Sequence, residues 1–258
     1  MRRNTTSQGG PHQMDNTLYV ALSRQMILAR EMDVIANNIS NADTPGFKVE
    51  QIMSQTNPKP LADGSVPGSP NLNFVLDVGV ARDFSQGALS QTGRPLDVGI
   101  EGDGFFKIAA ARGERFTRDG RFTMDSKGVL VTASGEPVSG DGGPITLDPS
   151  KGEPTIASDG AISQGGVRVG KLSVYRFAAM SALEKDGDGL YRNAGNQSPE
   201  AAPDVRLSQG SVESSNVKPV IEITRMIEVS REYERIAKLM DQTSQLNAEA
   251  IQRLGKVN

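Results

Sequence analysis

The sequence predicts an α+β protein in which long N- and C-terminal helices pair as a coiled coil and a central all-β domain lies between them along the chain. Three observations support this prediction. Both ends of the chain are long stretches of helix-forming residues. Apolar residues in these stretches recur at alternating spacings of three and four. The residues between them form short apolar runs separated by turns, as in a hairpin-rich domain that is sandwich-like or barrel-like.

Composition limits the functions open to the chain. Its 258 residues include 36% hydrophobic but only 5% aromatic residues, which predicts a thin core. The net charge of −3 gives no basic field for nucleic acid. No apolar run approaches the roughly 18 residues that a membrane span needs, so we expect no direct membrane insertion. A pattern typical of a cleaved signal peptide is missing, and the lack of cysteine excludes disulfides and thiolate metal sites.

The chain begins with a segment that has no periodicity. Residues 1–13 are interpreted as a disordered arm or a mis-assigned start, with Met14 as the true beginning. The arm contains His12, the only histidine, which we expect to be a solvated tail residue.

Residues 14–47 are predicted to form the N-terminal axial helix and a turn. Asp15 or Asn16 can cap a helix that runs to about Ser40. A turn at Thr44-Pro45-Gly46 follows, with Phe47 as an apolar anchor. The short polar residues before the turn indicate either an ordinary helix end or a crowded contact with neighbouring chains. The predicted seam of this helix is Leu18, Leu22, Gln25, Ala29, Met32, Ala36 and Ile39.

The middle of the chain divides into a linker and a β domain. Residues 48–73 are rich in Pro, Gly and Ser and are predicted to be a linker loop. Residues 74–210 are predicted to be the β domain, with Asp119-Gly120 as a two-residue hairpin turn.

Residues 211–258 are predicted to contain the C-terminal axial helix. Pro219 suits the first helical turn, and Ser215 or Asn216 can cap it. The predicted seam of this helix is Ile223, Met226, Ser230, Tyr233, Ala237, Met240, Ser244, Asn247, Ile251 and Leu254.

The sequence offers no catalytic residues, metal site or cofactor site. Gly140-Asp141-Gly142-Gly143-Pro144 resembles a serine-protease nucleophile loop but lacks the serine. Asp186-Gly187-Asp188-Gly189 resembles the start of a calcium loop but lacks the later acidic ligands, so a plain turn is favoured. We therefore expect no enzyme activity and no small-molecule substrate.

Three motifs, in the right order, carry a resemblance to a known family. The residues Asn37-Asn38-Ile39-Ser40-Asn41-Ala42-Asp43-Thr44-Pro45-Gly46-Phe47 resemble the N-terminal signature of the flagellar rod, hook and hook-associated axial proteins. Gly210-Ser211-Val212-Glu213-Ser214-Ser215-Asn216-Val217 resembles their C-terminal signature. The residues from Gly93 to Phe106 and from Phe116 to Gly120 resemble the rod and hook branch. The proximal rod proteins are the nearest match, and the distal rod proteins are the near alternative.

The resemblance implies a structural subunit of the bacterial flagellar basal-body rod. Such subunits polymerise through their terminal helices into an inner tube with the β domains outside, and they transmit torque towards the hook. The implied partners are further copies of the chain in a helical assembly, other proximal and distal rod proteins, and the flagellar export apparatus. The implied location is the periplasmic rod, reached by export without a cleaved signal peptide. The implied assembly interface consists of Leu18, Leu22, Met26, Ala29, Met32, Ala36, Asn37, Asn38, Ile39, Asn41, Pro45, Gly46, Phe47, Ser215, Asn216, Val217, Ile223, Met226, Tyr233, Ala237, Met240, Ile251 and Leu254.

Two other classes of protein remain as alternatives. The first is a binding module whose helices oligomerise a ligand-reading β domain, which predicts an exposed ligand patch. The second is a polysaccharide-cleaving enzyme, which predicts two carboxylates about 5–10 Å apart in a cleft.

Overall fold

The computed structural model describes residues 12–59 and 72–255, and its two long helices and β-rich centre confirm the α+β class. The chain divides into two compact units. The helical unit contains both helices and a strand pair, within residues 1–39, 50–81 and 219–258. The β unit contains residues 40–49 and 82–218.

Both helices lie where the sequence predicts them. Helix α1 is His12–Ser40 and helix α2 is Pro219–Gly255. Helix α1 begins two residues before Met14, so His12 belongs to the helix and not to the predicted arm. Asp15 and Asn16, predicted as its cap, therefore lie within the helix. The rest of that arm, residues 1–11, lies outside the described residues. Pro219 opens α2 as predicted, because its fixed φ and missing N–H suit the first turn of a helix.

The predicted linker is corrected by the structure. Strands β1 (Glu50–Lys59) and β2 (Leu72–Arg82) pair as a two-stranded sheet on either side of residues 60–71, which are not described. Composition misled the prediction because pairing of two backbones satisfies their N–H and C=O groups even where few apolar side chains are available. The prediction placed residues from 74 in the β domain, whereas the structure groups them as far as Ala81 with the helices.

The β unit consists of short strands joined by turns. Its strands are β3 (Leu89–Gln91), β4 (Val98–Glu101), β5 (Phe105–Ala110), β6 (Gly113–Thr117), β7 (Thr123–Met124), β8 (Leu130–Val131), β9 (Val138–Gly140), β10 (Gly143–Pro144), β11 (Thr155–Ile156), β12 (Ala161–Gln164), β13 (Val167–Lys171), β14 (Val174–Arg176), β15 (Leu183–Lys185), β16 (Leu190–Asn193), β17 (Glu200–Ala201), β18 (Arg206–Gln209) and β19 (Ser211–Glu213). Two 3₁₀ turns span Pro149–Lys151 and Met180–Ala182.

The largest sheet of the β unit has the strand order β10-β9-β5-β6-β16-β15, and β14 joins both β5 and β17. Strands β11, β12 and β13 form a second, three-stranded sheet, and the pairs β18–β4, β19–β3 and β7–β8 complete the unit. All pairings with a defined register are antiparallel, as expected for local hairpins.

Asp119-Gly120 is not the predicted hairpin turn. Strand β6 pairs with β5 and β16, whereas β7 pairs with β8. Gly120 instead lies against the backbone of β4, where its carbonyl accepts the Val98 N–H and a Cβ would meet the Val98 carbonyl oxygen. Glycine is therefore needed at position 120 because the two backbones approach too closely for a side chain, and not because of a hairpin turn.

Two apolar clusters form the core of the β unit. The larger one lies under strands β4, β5, β12 and β18 and includes Val98, Ile100, Phe106, Ile162 and Leu207. The smaller one contains the rings of Phe105, Phe116, Phe177 and Tyr191, whose neighbouring pairs meet edge to face. With few aromatic residues in the chain, these rings are concentrated at one site.

Candidate assembly interface

The two helices pack against each other along one seam of the helical unit. Its buried members are Leu28, Ile35 and Val229, and the residues packed around them are Met32, Ile39, Met226, Tyr233 and Ile236. Spacings of four and three residues run through this set on both helices, as expected for long helices in lengthwise contact. The seam removes Leu28 and Ile35 of α1 from water.

The observed seam corrects three of the predicted seam positions, Ala29, Ala36 and Ser230. Leu28 and Ile35 are buried where the prediction chose Ala29, which is half-buried, and Ala36, which is exposed. On α2, Val229 replaces the predicted Ser230 in the same way. Periodicity alone allows both phases, because they differ by one residue at every second position. The observed phase is the one that buries the bulkier side chains, since burying Leu or Ile removes more apolar area from water than burying Ala.

Predicted interface residues outside the seam lie on the surface of the helices. Met26 is 66% exposed, Leu22 43% and Ile223 48%. The sequence analysis missed exposed apolar neighbours at the same helical spacing, which are Tyr19 on α1 and Val220 and Ile227 on α2. We call Tyr19, Leu22 and Met26 the α1 stripe, and Val220, Ile223 and Ile227 the α2 stripe. Each helix therefore buries one apolar face and leaves another exposed.

Leu18 and Met240, predicted from opposite ends of the chain, are brought together. With Ala21, Leu239 and Thr243 they line an apolar cleft of about 90 Å³ between the helices. Ala237 is half-buried. The side chains of Asn247, Ile251 and Leu254 lie outside the described part of the chain.

Polar contacts accompany the seam at both of its ends. The guanidinium of Arg24 binds the Glu232 carboxylate at 2.9 Å, with both side chains partly exposed. At the other end, Asn38 is fully buried, and its amide nitrogen donates to Glu222 Oε2 and to the Glu50 carbonyl, each at 2.8 Å. Its amide oxygen accepts the Glu50 N–H at 2.9 Å. The predicted residue Asn38 is thus an internal contact of the helical unit.

The remaining N-terminal signature residues shape a turn of the β unit. Asn41 accepts hydrogen bonds from Thr44, Pro45 is half-buried, and Gly46 donates its N–H to the Glu213 carbonyl at 2.8 Å. Gly46 has φ +71°, and a Cβ on it would lie 2.6 Å from the Asp119 nitrogen. Glycine is therefore required twice over, by conformation and by space. Asn37 is exposed on α1.

Phe47 anchors this turn within the β unit. It packs with Ala42, Val49 and Val217 in a small buried cluster, and the Lys185 ammonium lies 4.6 Å from the centre of its ring. Phe47 and Val217, both predicted interface residues, are therefore covered by the chain itself.

Ser215 and Asn216 do not cap α2, which begins three residues after Asn216. Ser215 Oγ accepts the Val217 N–H at 3.2 Å. The Asn216 amide oxygen accepts the Val49 N–H at 2.8 Å, and its nitrogen donates to the Asp83 carbonyl at 2.8 Å. Asn216 therefore ties the segment before α2 to the segment after α1 inside the β unit.

Three buried charged residues, which we call the clasp, join the same two segments. Lys48 Nζ lies 2.7 Å from Glu213 Oε1 and 2.6 Å from the Ser85 carbonyl. Arg118 Nε donates to the other carboxylate oxygen, and the Gly87 N–H donates to Oε1. Burial lowers the pKa of Lys48, although the nearby Glu213 carboxylate favours its charged form.

Sequence reasoning missed the clasp and Glu222. Lys48, Arg118 and Glu213 each stand within or next to a motif that resembles the family, so a charged residue in or beside such a motif was the available signal. Polarity alone does not separate a buried charge from a solvated one, because the separation depends on partners distant in sequence.

The turn that resembles the start of a calcium loop is held by an ion pair. Asp186-Gly187-Asp188-Gly189 is the turn between β15 and β16, and Asp186 binds the Arg115 guanidinium. That hydrogen bond lowers the pKa of Asp186. Among the described residues, no group of three or more His, Cys, Asp and Glu could hold a metal ion. No helix in the described ranges combines the length and apolar character of a membrane span.

Comparison with known proteins identifies the family. Three family profiles match in chain order: "Flagella basal body rod protein" over residues 18–48, "Flagellar hook protein FlgE/F/G D1 domain" over residues 99–164, and "Flagellar basal body rod FlgEFG protein C-terminal" over residues 208–253. The "Flagellar basal-body rod protein FlgF" of Caulobacter vibrioides is 52% identical over 95% of this chain and 100% of its own length. The chain belongs to the FlgF family of flagellar basal-body rod proteins.

Further relatives agree with this membership. The FlgF protein of Mesorhizobium japonicum is 39% identical over 94% of this chain and 99% of its own. The FlgG protein of Buchnera aphidicola subsp. Schizaphis graminum is 34% identical over 83% of this chain and 90% of its own, so an FlgG-like assignment is not the better one. FlgF-family members are structural components of the flagellar basal-body rod and do not constitute an enzyme class. The assembly partners of the family are other flagellar subunits.

Proposed function

We propose that this chain is a proximal rod subunit that polymerises through α1 and α2 and thereby transmits motor torque towards the hook. In this proposal the helices pair within the subunit as a coiled coil, and the remaining apolar surface of each helix contacts neighbouring subunits. The partners are further copies of the chain and the adjoining proximal and distal rod proteins. The β domain has no catalytic role.

The observation that carries the proposal is the second apolar face on each helix. The α1 stripe and the α2 stripe hold six large apolar side chains, all more than 40% exposed. Covering a fully exposed side chain of this size stabilises a contact by about 1.5–3 kcal/mol, and these partly exposed side chains contribute in proportion to the area that is covered. A contiguous apolar patch on a protein surface marks an interaction site. Because the residues of each stripe are spaced by three and four along one helix, another helix suits them as the partner.

A subunit with different faces on α1 and α2 suits an open assembly. Contacts between unlike faces generate rings when the rotation closes and helical filaments when it does not. Several neighbours then hold each subunit, so that a turning moment is shared among many contacts. We propose, from the family resemblance, that the chain reaches the periplasmic rod through the flagellar export apparatus without a cleaved signal peptide.

The test is complementation of a strain that lacks the gene, using Met26→Asp in the α1 stripe and Ile223→Asp in the α2 stripe. Val167→Asp is the matched control, because Val167 is 60% exposed but lies in β13. We expect wild type and Val167→Asp to restore the rod, seen by cryo-tomography of basal bodies, and swimming. The stripe variants should restore neither, while circular dichroism of the purified proteins shows unchanged helix content. Full swimming with both stripe variants would contradict assembly through these faces.

A further inference from the structure

The contacts between α1 and α2 define one antiparallel alignment of the two helices. Arg24 meets Glu232, Asn38 meets Glu222, and Leu18 shares a cleft with Met240. As the residue number rises on α1 it falls on α2. The alignment is a property of the single chain and does not depend on the proposed assembly.

The apolar seam alone selects this alignment only weakly. Sliding α2 by seven residues, two helical turns, would put Tyr233 in the place of Met226, Ile236 in the place of Val229 and Met240 in the place of Tyr233. Three of the four seam positions on α2 would again hold large apolar side chains, and the fourth would hold Thr243 in the place of Ile236. A contact built on such a repeat is satisfied in more than one register.

Asn38 is a buried residue at the end of the seam, and its bond to Glu222 forms in one register alone. Its two amide hydrogens bind Glu222 Oε2 and the Glu50 carbonyl, while its oxygen receives the Glu50 N–H. Asn38 is 0% exposed and Glu222 is 3% exposed. After a seven-residue slip, Asn38 would face Val229, and both a buried amide and a buried carboxylate would lose a partner.

We infer that Asn38, through Glu222, sets the register in which α1 and α2 pair. Taking one partner from a buried polar or charged group is costly, so a displaced register is penalised by the loss of the Asn38–Glu222 hydrogen bond. A single buried asparagine fixes register in other paired helices for the same reason. The bonds to Glu50 hold Asn38 to the first residue of β1, so the register is also set relative to that strand. The half-exposed Arg24–Glu232 pair contributes little selection, because solvent screens it.

The register can be measured by double electron–electron resonance on the full chain. The sequence contains no cysteine, so spin labels on Asp33→Cys and Lys238→Cys report one distance between α1 and α2. Both positions are exposed. We expect a single narrow distance in the otherwise wild-type chain. Asn38→Leu should add a second population displaced by about 10 Å, the length of seven helical residues.

Two further variants complete the test. Glu222→Leu also removes the Asn38–Glu222 bond but keeps the Asn38–Glu50 contacts, so it should show the displaced population. If Asn38→Leu does not fold, Glu222→Leu alone tests whether this bond sets the register. Arg24→Ala, the control for a polar contact across the same helices, should keep the single distance. The inference is overturned by a broad distance distribution in the wild-type background. An unchanged single distance in Glu222→Leu, or in a folded Asn38→Leu chain, overturns it equally.

Discussion

The ammonium group of Lys48 lies 2.7 Å from the carboxylate of Glu213, and neither side chain is exposed to solvent. The two residues are 165 positions apart in sequence, and they belong to the segments that follow α1 and precede α2. Arg118 contributes a second buried cation to the same carboxylate. The segments that carry the N-terminal and C-terminal signatures therefore meet inside the β unit, where the Glu213 carboxylate pairs with both Lys48 and Arg118.

Removing that acidic residue should destabilise the β unit strongly. Glu213→Ala leaves two buried cations without their counter-charge, which costs about 3–5 kcal/mol of unfolding free energy when a buried pair is broken. Urea denaturation followed by near-ultraviolet circular dichroism measures the loss. Glu184→Ala, which removes an exposed ion pair with Arg192, should cost less than about 1 kcal/mol. Equal losses in the two variants would mean that the clasp does not stabilise the fold.

The lowered pKa of Lys48 predicts a pH dependence of stability. The folded state binds this proton less tightly than the unfolded state, whose lysine pKa is about 10.4. The unfolding free energy should therefore rise as the pH increases from the folded pKa towards that value. Denaturation of wild type and Lys48→Met across this range isolates the contribution. The difference in unfolding free energy, wild type minus variant, should increase with pH, and a flat or falling difference would contradict the assignment.

Substitution of two leucines of α1 distinguishes the observed phase of the helix seam from the predicted one. Leu28→Ala should lower the unfolding free energy of the helices by about 2–5 kcal/mol, since Leu28 is fully buried. Leu22→Ala, at a position of the originally predicted seam that is 43% exposed, should change it by about 0.5 kcal/mol or less. Circular dichroism at 222 nm during urea denaturation of the monomeric chain follows the helices. The reverse order of the two losses would restore the predicted phase.

Gly46 should not tolerate a side chain. Gly46→Ala forces an alanine into φ +71° and sets its Cβ against the backbone of Arg118 and Asp119, which should cost at least about 1–3 kcal/mol. Gly142→Ala is the control, because its φ is not in the left-handed range and no atom lies within 4 Å of the added carbon. Denaturation of the two purified variants compares the costs. A similar small effect at both positions would show that the turn can relax.

The class of the fold followed from the sequence because its signals are local. The run of helix formers after Pro219 and the turn-separated apolar runs each specify structure within a few residues. The choice between Leu28 and Ala29 was not local, since it depends on which face the partner helix covers. The linker prediction failed at β1 because pairing, not composition, decides whether an extended segment becomes a strand.

The residues predicted for the assembly interface also fall into two groups, one exposed and one buried. Met26 and Ile223 were found by sequence alone, and both are exposed apolar residues on helices. Asn38, Phe47 and Val217 were predicted on the same surface, but the chain buries them in its own fold. The predicted interface mixes residues that are buried within the subunit with residues that are exposed to a neighbour, and burial separates the two groups.

The clasp and the adjoining Gly46–Glu213 backbone hydrogen bond have a mechanical consequence for the β unit. Both contacts join residues just after α1 to residues just before α2, and all of these residues belong to the β unit. Tension applied to the chain at Lys48 and Glu213 would be borne first by this short bridge. The 164 residues that lie between them in sequence would carry little of that load while the bridge holds.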